Sequence, residues 1–174
     1  MHTGVFRGNR VRTTDELKEW HGRAPQEAVI EPELPIVDSH HHLYGSADDS
    51  HYYRRDDLVE DLSGGHRVLG TVYVEAFASG WHQGGPLELR SLGEVDMIVD
   101  RSAKPVSTPW GSCKLAAAIV SHVDLTAGDA VATVLEAHLR ASNGRLRGIR
   151  QHATCDSGEV GRFVFNAPAH LLAD

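Results

Sequence analysis

The chain has 174 residues, of which 41% are hydrophobic and 24% charged, with a formal charge of −7. That length holds one ordinary domain, and the composition excludes a disordered chain. The acidic balance and the lack of a basic cluster exclude a nucleic-acid footprint, and no window approaches the ~20 apolar residues of a membrane span.

Residues 1–12 are polar, read as a leader without the apolar core of a signal peptide. Thr13 and Glu16 have capping-box spacing, which predicts a short helix through Trp20. Residues 21–33 carry Gly22, Pro25 and Pro32 and are expected to be irregular. Leu34–Ser39 is the first predicted strand, with histidines at its C-terminal end: Ile36-Val37-Asp38-Ser39-His40-His41-His42. Alternate residues of a strand share a face, so Asp38, His40 and His42 face one way and His41 the other. Neighbours on that face lie about 6.5–7 Å apart, close enough for two imidazoles to converge on one metal ion. Neutral histidine nitrogens suit zinc and similar ions, and Asp38 could bind as well or orient a histidine. The competing readings are a tag remnant, a surface loop, or a strand end with buried, hydrogen-bonded histidines. The internal position and apolar lead-in favour a metal or active-site role.

Further on, Asp56–Leu62 reads as a short helix with Leu58, Val59 and Leu62 inward, stopped by Gly64-Gly65. Arg54-Arg55 precedes Asp56-Asp57, a self-compensated solvated face. Val68–Glu75 is the second strand. Ala78–Arg90 is a glycine-rich loop whose Trp81-His82 pair could form a lid. Gly93–Arg101 places Val95, Ile98 and Val99 at helical spacing, and Pro105–Gly111 is a further loop. Lys114–Val123 contains the apolar run Leu115–Val120, suited to a strand buried on both faces of a parallel sheet. Asp129–Ser142 is a helix with Val131, Val134, Leu135 and Leu139 as its stripe, stopped by Asn143-Gly144. Leu146–Gln151 is the fourth strand. Residues 153–174 read as a long loop with a turn of helix at His170–Leu172. Cys113 and Cys155 form no Cys-x-x-Cys pair, and read as reduced thiols of a cytoplasmic protein.

Alternating strands and helices argue for an α/β fold with parallel strands. Pro35–Leu43 also resembles the first-strand signature of the metal-dependent amidohydrolase superfamily. More narrowly, it is similar to the amidohydrolase-related branch that holds lactone hydrolases, dicarboxylate-lactone hydrolases and non-oxidative decarboxylases. Ile119–Leu125 and Leu146–Gln151 look like two further stretches of that branch. The resemblance implies a (β/α)₈ TIM-type barrel, of which this sequence covers about the first four βα units, because a full barrel needs about 250 residues. The organisation expected is a leader and short helix over 1–33 and the N-terminal half of such a barrel over 34–174. A small three-layer α/β domain is the alternative.

In such barrels the active site lies at the C-terminal ends of the strands. His40 and His42 are the candidate metal ligands, for a divalent ion, zinc first. Glu75, His122 and Arg150 are candidates for substrate binding, with His152 beside them. Glu75 could equally be a salt-bridged strand end, His122 a core or surface histidine, and Arg150 half of a structural ion pair rather than a fork for a carboxylate or lactone oxygen. The expected reaction is metal-assisted hydrolysis of a small carboxylated lactone, ester or amide, completed by residues outside this chain. The alternatives are a non-catalytic truncated fragment or half-barrel module needing a complementing chain, a metal-dependent decarboxylase, and a metal-independent lactonase. The expected partners are a small-molecule substrate, no nucleic acid and no membrane, with self-association through exposed barrel edges.

Overall fold

A computed structural model describes residues 12–154 apart from 26, 47, 77 and 78, together with residue 158. The expectations for residues 159–174, including the turn at His170–Leu172, and for Cys155 lie outside the described residues.

Helix α1 (Thr14–His21) starts as its sequence dictates. The Thr13 hydroxyl accepts from the Glu16 amide at 3.2 Å, and the Glu16 carboxylate accepts from the Thr13 amide at 3.0 Å. This reciprocal cap satisfies two amides that have no partner within the helix. Strand β1 (Ile36–His41) follows, running two residues further than predicted. Helix α2 (Arg55–Leu62) buries Leu58 and Leu62, with Val59 packed at the edge of the core. Strand β2 (Val68–Val74) leads through the Trp81 loop to helix α3 (Leu92–Arg101), whose Val95 and Ile98 are buried.

The predicted loop at 105–111 is instead a hairpin. Strand β3 (Val106–Thr108) pairs antiparallel with the start of β4 (Gly111–His122). The β-branched residues Val106 and Thr108 suit a strand, and Gly111 adopts a φ of 112°, which closes the turn after Pro109-Trp110. Helix α4 (Val131–Ala141) and strand β5 (Leu146–Arg150) complete the described elements.

The α4 stripe differs from its prediction at one position. Leu139 is 53% exposed and His138 is fully buried. Positions 131, 134, 135 and 138 form the inward i, i+3, i+4, i+7 set, and an apolar-only reading passes over a histidine there.

Strands β1, β2, β4 and β5 pair in that order, all parallel, as a mixed α/β half-barrel with a curled sheet. Sequential parallel neighbours require crossovers, and the helices supply them. Helix α3 packs on β4 and α4. The core gathers Leu43, Leu58, Leu62, Tyr73, Ile98, Leu115 and Ile119. No helix among the described residues is long and apolar enough to cross a membrane.

Candidate functional site

Parallel strands of one sheet put their C-terminal ends on one edge. The ends of β1, β2, β4 and β5 therefore bring the histidine pair, Glu75, His122 and Arg150 to a single rim.

From His40 to His42 the alternation holds, but between Asp38 and His41 strand β1 advances three residues while β2 advances two, so Asp38, expected on the face of the pair, is out of phase with it. His40 and His42 project together, with Nε2 atoms 3.1 Å apart and rings edge-on at 4.7 Å between centroids. His41 turns the other way and is 7% exposed, with Nε2 2.9 Å from the Thr71 hydroxyl and its ring against Tyr73. Burial lowers the His41 pKa, so the ring stays neutral inside the sheet. Asp38 shares the strand with the pair but serves the backbone: Oδ1 accepts from the His40 amide at 3.1 Å.

His42 is fixed in one tautomer. Its Nδ1 lies 2.8 Å from the Val74 carbonyl, which can only accept, so Nδ1 carries the proton. Nε2 then accepts from the His40 Nε2–H at 3.1 Å, and a metal ion that replaced that proton would find both Nε2 lone pairs, with His42 anchored through its other nitrogen. Two nitrogens bound to one tetrahedral zinc at about 2.0–2.1 Å lie about 3.4 Å apart, near the spacing observed here. The pair therefore fits two ligands of one divalent ion. Among the described residues no third histidine, cysteine, aspartate or glutamate joins them in a metal-holding group.

Glu75 follows β2 and is 1% exposed. Arg150 forks onto it, Nε donating to Oε1 at 2.5 Å and Nη2 to the Glu75 carbonyl at 2.5 Å. His152 Nε2 lies 3.6 Å from the same Oε1. A carboxylate this buried requires a paired charge, and Arg150 supplies it. The Arg150 side chain remains 31% exposed. His122 sits beside Arg150 in the β4–β5 register and is 8% exposed. Burial lowers its pKa, which keeps it neutral near pH 7.

Trp81 and His82 are docked against α3. The Trp81 indole N–H donates to Glu94 Oε2 at 3.1 Å, and His82 Nε2 is 3.3 Å from Asp96. Glu94 was not legible as a site residue. It is 2% exposed and also accepts from the Tyr73 hydroxyl at 2.6 Å and the Ala76 amide at 2.5 Å. Burial raises its pKa, while the three donors oppose that shift. The available signal was a carboxylate beside Val95 on the core face of a predicted helix. His138 is the second unanticipated residue, placed between Ser121 Oγ, 2.7 Å from Nδ1, and Ser91 Oγ, 3.1 Å from Nε2.

The arrangement offers an imidazole pair joined through its Nε2 atoms, a guanidinium held in fixed orientation by a buried carboxylate, and a neutral histidine at the end of β4. In comparisons with known proteins, no family model, no curated protein and no solved structure matches this chain.

Proposed function

We propose that the chain forms the first four βα units of a TIM-type barrel of the amidohydrolase-related kind, which hydrolyses a small carboxylated lactone, ester or amide. The observation that carries this reading is the His40–His42 pair, with Nε2 atoms 3.1 Å apart and His42 anchored through Nδ1 on the Val74 carbonyl. A divalent ion at the pair, zinc first, would supply Lewis-acid activation of a carbonyl and of water. Further ligands and a general base would come from outside the described residues.

The chain's own residues have separable tasks in this scheme. The Val74 carbonyl keeps the proton on Nδ1 of His42, so Nε2 stays a donor of electrons. Glu75 orients Arg150, whose outer N–H groups would hold the substrate carboxylate or lactone oxygen. His122, neutral and adjacent, would offer a hydrogen bond without a competing charge.

The test is metal binding to the full chain, followed by cobalt absorption and zinc calorimetry, with lactone turnover assayed with and without chelator. One ion per chain is expected, weakened at least tenfold by His42→Ala and by His40→Ala. Equal binding in both variants would refute the assignment. Turnover that survives chelation would select the metal-independent lactonase variant of this scheme.

A second reading is a half-barrel module that another chain completes. It draws on the sheet edges: among the described residues β1 pairs with β2 alone and β5 with β4 alone. Parallel edges left unpaired among the described residues favour association, which sedimentation at increasing concentration measures.

A further inference from the structure

A cavity of about 330 Å³ opens beside the C-terminal end of β4, on the side of α3. Trp81 and Leu87 wall it, with His122 buried at its base and Glu88 and Asp124 exposed at its mouth. The Trp81 wall is held from two sides. Buried Glu94 anchors its indole N–H, and the His122 ring lies 5.3 Å from it at a 35° tilt. The loop carrying Trp81 also needs Gly93: a Cβ there would lie 2.4 Å from the Gly80 carbonyl oxygen and 2.6 Å from the His82 amide nitrogen.

The charges around this cavity have one sign. Asp124 is kept ionised by the Thr126 hydroxyl at 2.6 Å and amide at 2.9 Å, both donating to Oδ1, which lower its pKa. Glu88 is an exposed carboxylate. No lysine or arginine is among the described lining residues, and the nearby Arg150 is offset by Glu75. An anion entering here would meet two carboxylates. A cation would meet the same carboxylates and the indole of Trp81, the best aromatic partner for an ammonium group.

We propose that this cavity binds a small organic cation, a substituted ammonium group seated against the Trp81 ring between the Glu88 and Asp124 carboxylates. The assignment does not involve the histidine pair, though it shares His122 with the substrate side of the hydrolytic reading. If it fails, the metal-binding test above is untouched.

The experiment is titration of the full chain with choline, with its uncharged isostere 3,3-dimethyl-1-butanol, and with propionate, followed by saturation-transfer NMR and tryptophan emission. The three probes separate charge from shape. Choline is expected to bind about tenfold more tightly than the isostere, the range a desolvated cation–aromatic contact supports, with propionate weakest. Glu88→Gln combined with Asp124→Asn, both conservative and exposed, should cut the preference for choline at least threefold. Trp81→Phe should weaken choline while leaving a residual aromatic contact. Equal binding of choline and the isostere would overturn the proposal. So would the absence of saturable choline binding at about 10–50 mM with the fold intact by circular dichroism. A choline preference that persists undiminished in the Glu88/Asp124 double variant would place the cation elsewhere and overturn it too.

Discussion

His138 should make the protein acid-labile in a way that one substitution isolates. The ring is fully buried between Ser91 and Ser121, and burial brings its pKa down to about 4 from an ordinary 6.5. A histidine with a depressed folded pKa binds fewer protons folded than unfolded. Its contribution is therefore fully present above pH 6.5, declines as pH falls from about 6.5 toward 4, and is constant below that. At 1.36 kcal/mol per pH unit, the fall from 6.5 to about 4 corresponds to at most about 3.4 kcal/mol lost across that window. That is a large share of the about 5–15 kcal/mol that holds a typical domain together. The assay is equilibrium urea unfolding at pH 7.0, 5.5 and 4.5 for the wild type and His138→Leu. The variant loses stability at pH 7, because two buried serine hydroxyls lose their partner. It should also lose less on acidification, so the gap between the two proteins narrows by about 2–3 kcal/mol from pH 7.0 to 4.5. His41 carries a shift of the same sign and Glu94 one of opposite effect, and these are common to both proteins; His122, whose charge also lowers the His138 pKa, is part of what the difference reads. A gap that stays constant to within about 0.5 kcal/mol would refute the account.

Thr71→Val should cost about 2–4 kcal/mol in urea unfolding, because the buried Thr71 oxygen serves both His41 Nε2 and the Ala116 amide at 2.9 Å. Gly93→Ala should destabilise by about 1–3 kcal/mol and shift tryptophan emission to the red, since the new methyl displaces the loop that carries Trp81. An unchanged spectrum would show that the loop does not depend on Gly93. Arg150→Lys, which cannot fork onto both Glu75 oxygens, should lower the thermal midpoint and raise the KM of any lactone substrate more than it lowers kcat. A change confined to kcat would remove Arg150 from substrate binding.

Local signals in the chain were read where the physics is local. The Thr13–Glu16 spacing determines the start of α1 because cap and capped amide are three residues apart. The shared face of His40 and His42 follows from strand alternation. Glu75 and Arg150 were each readable as half of an ion pair at a strand end, and the structure shows that alternative; that they pair with each other was not legible, because they lie 75 residues apart and their contact depends on strand order. The same holds for Glu94, whose three donors come from β2 and the loop after it. The β3 hairpin was masked by Pro105 and Pro109, which read as loop although the residues between them favour a strand. His138 was passed over because hydrophobic periodicity does not register a buried imidazole satisfied by two hydroxyls.

Strand β4 contains a detour that sets the phase of the rim. Between Gly70 and Val72 its partner advances two residues, while β4 advances four, from Lys114 to Ala118. Ala116 takes a φ of 43° within that detour, its amide held by Thr71 and its carbonyl by Arg145 at 3.2 Å. An excess of two residues preserves alternation, so Ser121 still meets the helices and His122 still aligns with Arg150. An excess of one would exchange the two faces of everything downstream. The bulge thus acts as a reading frame for side-chain direction, and chain length there can change in steps of two without turning the rim inside out.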